Sequence, residues 1–286
     1  MIEDLFVHAL STHVHESFKG FKTVGGGCIN NAARLQTTED AYFLKWNSSS
    51  EKDLFEKEAL GLTHLSTCTS MKIPKVLGKG IFQKHSYLLL EWIESGHASS
   101  QFWKSFGMGL AKMHRKTSSC FGLDHDNYIG RLHQSNKKHT SWVDFFVEER
   151  LVPQVKLARS KRLIDESISL RFEQLYRKLP QLIPEEAPAL LHGDLWSGNF
   201  LADENEQPVL IDPAIHYGHR ETELAFTTLF GGFDPSFYEH YKNEYPLEPG
   251  FEDRIDIHNL YPLLVHVNLF GTSYLPGIVQ ALRKHV

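Results

Sequence analysis

The sequence predicts an α+β protein in two unequal parts: a small β-rich N-terminal lobe, residues 1–93, and a larger, mainly helical C-terminal lobe, residues 94–286. Three observations predict it. Up to Ile93 the chain alternates short apolar strands with glycine-punctuated turns. From Gln101 onward, apolar residues recur at helical spacing. One stretch, "LLHGDLWSGNFLADENEQPVLIDPA" (190–214), interrupts the helices and reads as loop, strand, turn and strand.

The elements follow in order. Leu5, Phe6, Ala9 and Leu10 make an amphipathic helix within 3–18. Strands are expected at about 20–24, 29–36 and 41–46, joined by "GGGC" and "TTED". Next, "SEKDLFEKEALGLTHLS" is a helix with Leu54, Phe55, Ala59, Leu62 and Leu65 on one face, and Ser50 offers a cap. "IPKVLGKGIFQKHSYLLLEWI" supplies two more strands, punctuated by Gly78 and Gly80, and "ESGHASS" is a connector. Helices are expected over 101–117, 140–159, 162–180 and about 256–285. Trp103, Trp142, Phe145 and Phe146 read as core, with lining of the acceptor pocket as the alternative.

Composition narrows the function. The 286 residues are 41% hydrophobic and 23% charged, with net charge −5, as in an ordinary globular protein of one large or two small domains. That balance argues against a nucleic-acid partner, which needs clustered Lys and Arg to neutralise phosphates. The N-terminus lacks a basic region before an apolar core. No run approaches the roughly 18 apolar residues of a membrane span. Cys28, Cys68 and Cys120 are far apart and form no CxxC pair, so a disulfide framework or zinc knuckle is not expected. These features point to a cytoplasmic protein with no membrane partner. The 17 histidines are scattered without metal-ligand spacing.

Why does the chain space Asp194, Asn199 and Asp212 as it does? Phosphoryl transfer needs a backbone cradle for phosphates, a lysine that grips them, a carboxylate that orients the acceptor hydroxyl, and oxygen ligands for magnesium. The parts occur here in the order of protein kinases. Gly25, Gly26 and Gly27 lie between the first two strands, where the backbone can approach phosphate. Lys45 ends the third strand, 20 residues after Gly25, and the next helix carries Glu56 and Glu58. Glu58 borders the apolar face and is the expected partner of Lys45; periodicity alone leaves Glu56 open. Asp194 and Asn199 have the Asp-x-x-x-x-Asn spacing, and Asp212 ends the strand "PVLI". Taken singly, these are ordinary turn and cap residues. Together they predict an acceptor site beside a metal site, on a bilobal protein-kinase-like fold using ATP and Mg²⁺.

"LLHGDLWSGN" and "IDPAIHYGHRETELAFTTLFGGF" resemble the fructosamine kinase (ketosamine-3-kinase) family, within the aminoglycoside phosphotransferase-like branch of the protein-kinase fold. So do "GGGCIN", "FEKEALGL", "FG…DNYIG" and "SWVDFFVEERL". The resemblance runs from about residue 18 to 240. It implies Asp194 as catalytic base, Asn199 and Asp212 as magnesium ligands, and Lys45 with Glu58 as the phosphate-gripping pair. It implies "LLLEWI" as hinge, with the backbone at Glu91 and Ile93 binding adenine. It implies a ketosamine acceptor, free or protein-bound, phosphorylated typically at the 3-hydroxyl to an adduct that falls off and frees the amine.

Trp196 and His192 are expected on the substrate side, with the Trp196 ring stacked on the sugar or packed under its loop. Cys28 follows the glycines, where amides aimed at phosphate favour a thiolate. The expected states are a monomer or a redox-linked homodimer. Two departures stand out. Glu223-Leu224-Ala225 replaces the broader branch's Asp-Leu-Ala, and Asp212-Pro213-Ala214 replaces DFG. Other readings are a kinase for an aminoglycoside or choline, and a nucleotide-binding regulatory module without turnover.

Overall fold

The computed structural model describes residues 2–25, 30–48 and 53–286. Five strands form one antiparallel sheet: β1 (Gly20–Thr23), β2 (Asn31–Gln36), β3 (Ala41–Ser48), β4 (Val76–Phe82) and β5 (His85–Glu91), in the order β1-β2-β3-β5-β4. Side chains alternate between its faces. Ala33, Leu35, Tyr42, Leu44, Tyr87 and Leu89 meet the apolar stripe of α1 (Ile2–His13). Leu88 and Leu90 meet Leu54, Phe55, Ala59 and Leu62 of α2 (Leu54–Cys68). The sheet is therefore covered on both sides, and one strand step separates a residue facing α1 from one facing α2. Helix α1 is shorter than expected. It stops where His15 turns left-handed (φ 60°) and its N–H folds back to Leu10 O.

The rest is helical around a small β insert. Helix α3 (Ser100–His114) starts where Ser99 Oγ accepts from Phe102 N. A hairpin of β6 (Asn127–Ile129) and β7 (Leu132–Gln134), too short to signal itself in sequence, follows. The helix expected over 140–159 is α4 (Trp142–Phe145), a π-helical stretch (Phe146–Leu151) and α5 (Val152–Ser160) in unbroken succession. The register widens just before Pro153, which has no N–H to give the helix ladder. Helix α6 is Glu166–Leu182, capped by Asp165 Oδ1 on Ile168 N.

The interrupting stretch becomes three short strands, β8 (Ala189–Leu191), β9 (Phe200–Ala202) and β10 (Pro208–Leu210), and a fourth, β11 (His216–Gly218), follows it. β8 pairs with β11, and β9 with β10. Helices α7 (Arg220–Phe226) and α8 (Pro235–Glu244) come next, neither expected from sequence. The helix expected over 256–285 is divided into α9 (Phe251–His258), α10 (Leu260–Phe270) and α11 (Leu275–His285). Gly271, at φ 100°, breaks α10 from α11. Trp142, Phe145 and Phe146 are buried in the main helical core, and Trp103 packs among Phe106, Phe200 and Phe233.

Candidate active site

Two strand pairs carry the site. Asp194 and Asn199 lie in the turn between β8 and β9; Asp212 lies between β10 and β11. Pairing of β8 with β11 and β9 with β10 brings the turns together. Ala214 N donates to His192 O (2.9 Å), and Ile211 N to Asn199 O (3.1 Å). Asn199 is buried. Its Nδ2 donates to Asp194 O (2.8 Å) and Oδ2 (2.9 Å), so its amide holds the Asp194 carboxylate from inside. Burial, reinforced by the nearby Asp212 charge, pushes the Asp194 carboxyl well above the ordinary range against the opposing Asn199 bond.

Lys45 projects from β3 toward the same point. Only 4% exposed, its Nζ lies 2.9 Å from Glu58 Oε1 on α2 and 2.9 Å from Asp212 Oδ1. Burial favours the neutral amine, but the two carboxylates outweigh it and the lysine stays charged. Burial pushes Glu58 up to about 6, Asp212 adds to this, and Lys45 opposes it. Glu56, the alternative partner, instead pairs with Lys79 at the surface. Asp212 is a non-glycine residue at φ 56°, backbone strain of the kind found where a side chain must be aimed.

Glu223, noted from sequence only as a departure, is the support of this loop. From α7 its Oε1 accepts from Gly193 N (2.7 Å) and its Oε2 from His192 N (3.1 Å). His114 Nε2 lies 2.9 Å from Oε2, and the other His114 nitrogen reaches Tyr241 OH at 2.8 Å. Gly193 sits at φ 83°, and a Cβ there would lie 2.1 Å from Ala214 O, so only glycine fits. Burial would raise Glu223, but the His114 and backbone bonds hold it below the carboxylate range. The sequence contains the Glu; nothing in it signals His114 or Tyr241, which come from α3 and α8.

His192 is a correction. It was expected on the substrate side, but it is fully buried: Nε2 lies 2.8 Å from Ile211 O, and Nδ1 accepts from Asp194 N (3.3 Å). With both nitrogens used inside the fold, it shapes the loop. Burial keeps the ring neutral, as that pattern of one donor and one acceptor requires. At the expected hinge, Glu91 N donates to Lys75 O (3.0 Å). Gly25 is exposed after β1, while Gly26, Gly27 and Cys28, like Ser50, lie outside the described residues.

The Trp196 ring is half-buried and folds over Gly198, whose Cβ, if present, would lie 2.4 Å from it. Trp142, Phe146, Arg150, Tyr261 and His266 line a cavity of about 30 Å³ that reaches Asp194. A separate buried cluster, His219, Glu221 and His258, has metal-like spacing. However, both Glu221 oxygens accept from Arg254 (2.6 and 2.8 Å), and His258 Nε2 lies 3.2 Å from Oε2. The cluster is a closed ion-pair network.

A strand lysine tied to a helix glutamate, facing an Asp-x-x-x-x-Asn turn and a strand-end aspartate, defines a phosphotransferase of the protein-kinase-like fold. Comparison with known proteins narrows the class. The family model for fructosamine kinase matches residues 3–286. A "Probable ketoamine kinase" of Lactiplantibacillus plantarum is 40% identical over 264 residues, 92% of each chain. The chloroplastic protein-ribulosamine 3-kinase of Arabidopsis thaliana is 39% identical over 269 residues, 92% of this chain and 82% of that one. Among solved structures, a Thermobifida fusca protein provisionally described as a fructosamine-3-kinase superposes with TM-score 0.87 at 30% identity, covering 98% and 97% of the two chains. The chain belongs to the fructosamine kinase family. The aminoglycoside phosphotransferase APH(4)-Ia, in complex with ADP and hygromycin B, shares the fold at TM-score 0.65 and 17% identity, over 97% of each chain.

Proposed function

We propose that this protein transfers the γ-phosphoryl group of ATP to a sugar hydroxyl of a ketosamine, free or protein-bound, with Asp194 as the base. One observation carries the reading: Lys45 is held by Glu58 and Asp212 at 2.9 Å each, beside an Asp194 carboxylate gripped by Asn199. The Asp194 carboxylate accepts the proton of the acceptor hydroxyl. The hydroxyl oxygen bonds to the γ-phosphorus, and the bond from that phosphorus to the bridging oxygen breaks to release ADP. A carboxyl shifted upward by burial is a better proton acceptor at neutral pH than an ordinary aspartate. Lys45 grips the donor phosphates.

The residues suit a hard divalent cation. Asp212 offers a carboxylate with a 40% exposed side chain. Asn199 turns its Nδ2 toward Asp194, leaving its Oδ1 as the free end. Asn199 and Asp212 would hold Mg²⁺, which when bound neutralises and orients the phosphates. Trp196 borders the acceptor.

A coupled ADP-release assay with MgATP tests the reading on ribulosyl-lysine, fructosyl-lysine, choline and kanamycin. Turnover of a ketosamine, abolished in Asp194→Asn with ATP affinity kept, is the expected result. Turnover of choline or kanamycin alone would overturn the acceptor class. An inert wild type that binds ATP would overturn catalysis.

A further inference from the structure

Beside the acceptor side of Asp194 lies an aromatic group that the phosphoryl-transfer parts do not use. Phe230, 37% exposed, sits in "TLFGGF" at φ 55°, followed by Gly231 and Gly232, also left-handed. A large, exposed, left-handed phenylalanine is costly twice over, and such costs gather where a ligand is met. Its ring stands at 82° to Trp196 (centroids 6.1 Å apart) and at 88° to Tyr274 (6.1 Å). His266 closes the back of this corner, 4.6 Å from Phe230 and 4.9 Å from Tyr274. His266 also lines the cavity that reaches Asp194, and Trp196 is two residues from Asp194, so the corner adjoins the acceptor position.

Phe230 stands nearly perpendicular both to Trp196 and to Tyr274, and aromatic rings gathered in this way attract an organic cation, because each ring face carries negative charge density. A neutral sugar gains stacking from these rings but no attraction for a charge. The group of a ketosamine that suits them is the protonated secondary amine joining sugar to lysine. We propose that Phe230, Tyr274 and Trp196 form a cation-binding corner that selects the ammonium of the acceptor, and so distinguishes ketosamines from neutral ketoses. Trp196 then forms a wall shared by sugar and amine. The inference rests on the ketosamine-kinase reading above. The His266 ring, kept neutral by burial against its bond to Pro262 O, adds no repelling charge.

The test compares N-butyl-1-amino-1-deoxyfructose with the neutral 1-O-butyl-fructose, using the full chain and MgATP. For an acceptor that binds without reacting, its inhibition constant is read instead. The wild type should prefer the amine, and Phe230→Leu should lower that preference by about tenfold through the amine's KM alone. Tyr274→Leu should act likewise, and Phe230→Tyr should keep the preference. Equal losses on both acceptors in both leucine variants would overturn the corner and leave the ketosamine reading standing. A wild type that neither turns over the amine faster nor is inhibited by it more strongly than by the ether would overturn the corner, while turnover of ribulosyl-lysine tests the ketosamine reading separately.

Discussion

Replacing Glu223 with Gln tests how Asp194, the proposed base, is held. The wild-type carboxylate accepts from Gly193 N at 2.7 Å and His192 N at 3.1 Å and faces His114 Nε2 at 2.9 Å, in a fully dry setting. Gln keeps one acceptor oxygen and puts an NH₂ where the other stood, so a backbone N–H faces a donor. Losing one charge-assisted bond and leaving one buried donor unpaired should cost about 2–4 kcal/mol. For a chain this long that lowers Tm by roughly 3–7 °C. Catalysis should fall further, because the strand turn aims Asp194, and a displacement near 1 Å costs about 10²-fold. The pH dependence is also fixed. Glu223 is held below its unfolded value near 4.5, so its contribution is present above that pH and is lost as pH falls through the folded value. The gap between wild type and Glu223→Gln should therefore narrow in acid. Thermal unfolding from about pH 3 to 8, with kcat measured at neutral pH, checks this. Unchanged Tm and kcat, or a gap that widens in acid, would refute the argument.

Other outcomes follow from the same site. Asp194→Asn should abolish turnover yet raise Tm in metal-free buffer. The folded Asp194 carboxyl lies above its unfolded value, so wild-type stability falls as pH rises through that window, and the gain should grow from pH 4 to 7. Lys45→Met leaves Glu58 facing Asp212 without a cation and should cost about 3 kcal/mol at pH 8 as well as activity. Since Glu58 already sits near 6, that deficit should shrink toward pH 5 in denaturant titrations, as Glu58 takes up a proton. Gly198→Ala sets a Cβ 2.4 Å from the Trp196 ring, so acceptor KM should rise in steady-state assays while ATP KM holds. Arg254→Ala strips both donors from buried Glu221 and should cost about 3–5 kcal/mol at pH 7. Glu221 is held near 2 in the fold, so chemical denaturation should show that cost fading as pH falls below about 4.5.

The residues that lie in short motifs or on regular local periodicities were legible. Lys45, Glu58, Asp194, Asn199 and Asp212 occupy elements whose periodicity or motif is local, and the structure brings them together. His192 was misplaced because its motif position says nothing about which way the ring turns; the Ile211 carbonyl across the strand pair decides that. Glu223, His114 and Tyr241 were not legible as a unit, since their contacts span 109 and 127 positions of chain. Helix α7 escaped for a different reason. Six of its seven residues are buried, charged ones included, so it has no amphipathic stripe to read. The division of the last long helix depended on Gly271 adopting a left-handed angle, which a glycine permits but does not announce.

The loss of the DFG phenylalanine has a structural counterpart. Pro213 packs against Gly61 of α2, where an added Cβ would lie 3.3 Å from Pro213 Cγ and 3.7 Å from Ile215. Gly61 is three residues beyond Glu58, on the same helical turn. The helix that supplies the Lys45 partner is thus seated directly on the segment that supplies Asp212. Proline fixes its own φ, and Ala214 N is tied to His192 O, so the Asp212 carboxylate is constrained from both sides of the chain. Swinging Asp212 out would separate it from Lys45, lift Pro213 from Gly61 and break the Ala214 bond together. A protein kinase can turn its phenylalanine between two pockets; here there is no such side chain to exchange, and these contacts favour a single arrangement. The Lys45, Glu58 and Asp212 charges are therefore held in place by the fold itself, and for the transfer proposed above such preorganisation lowers the reorganisation cost.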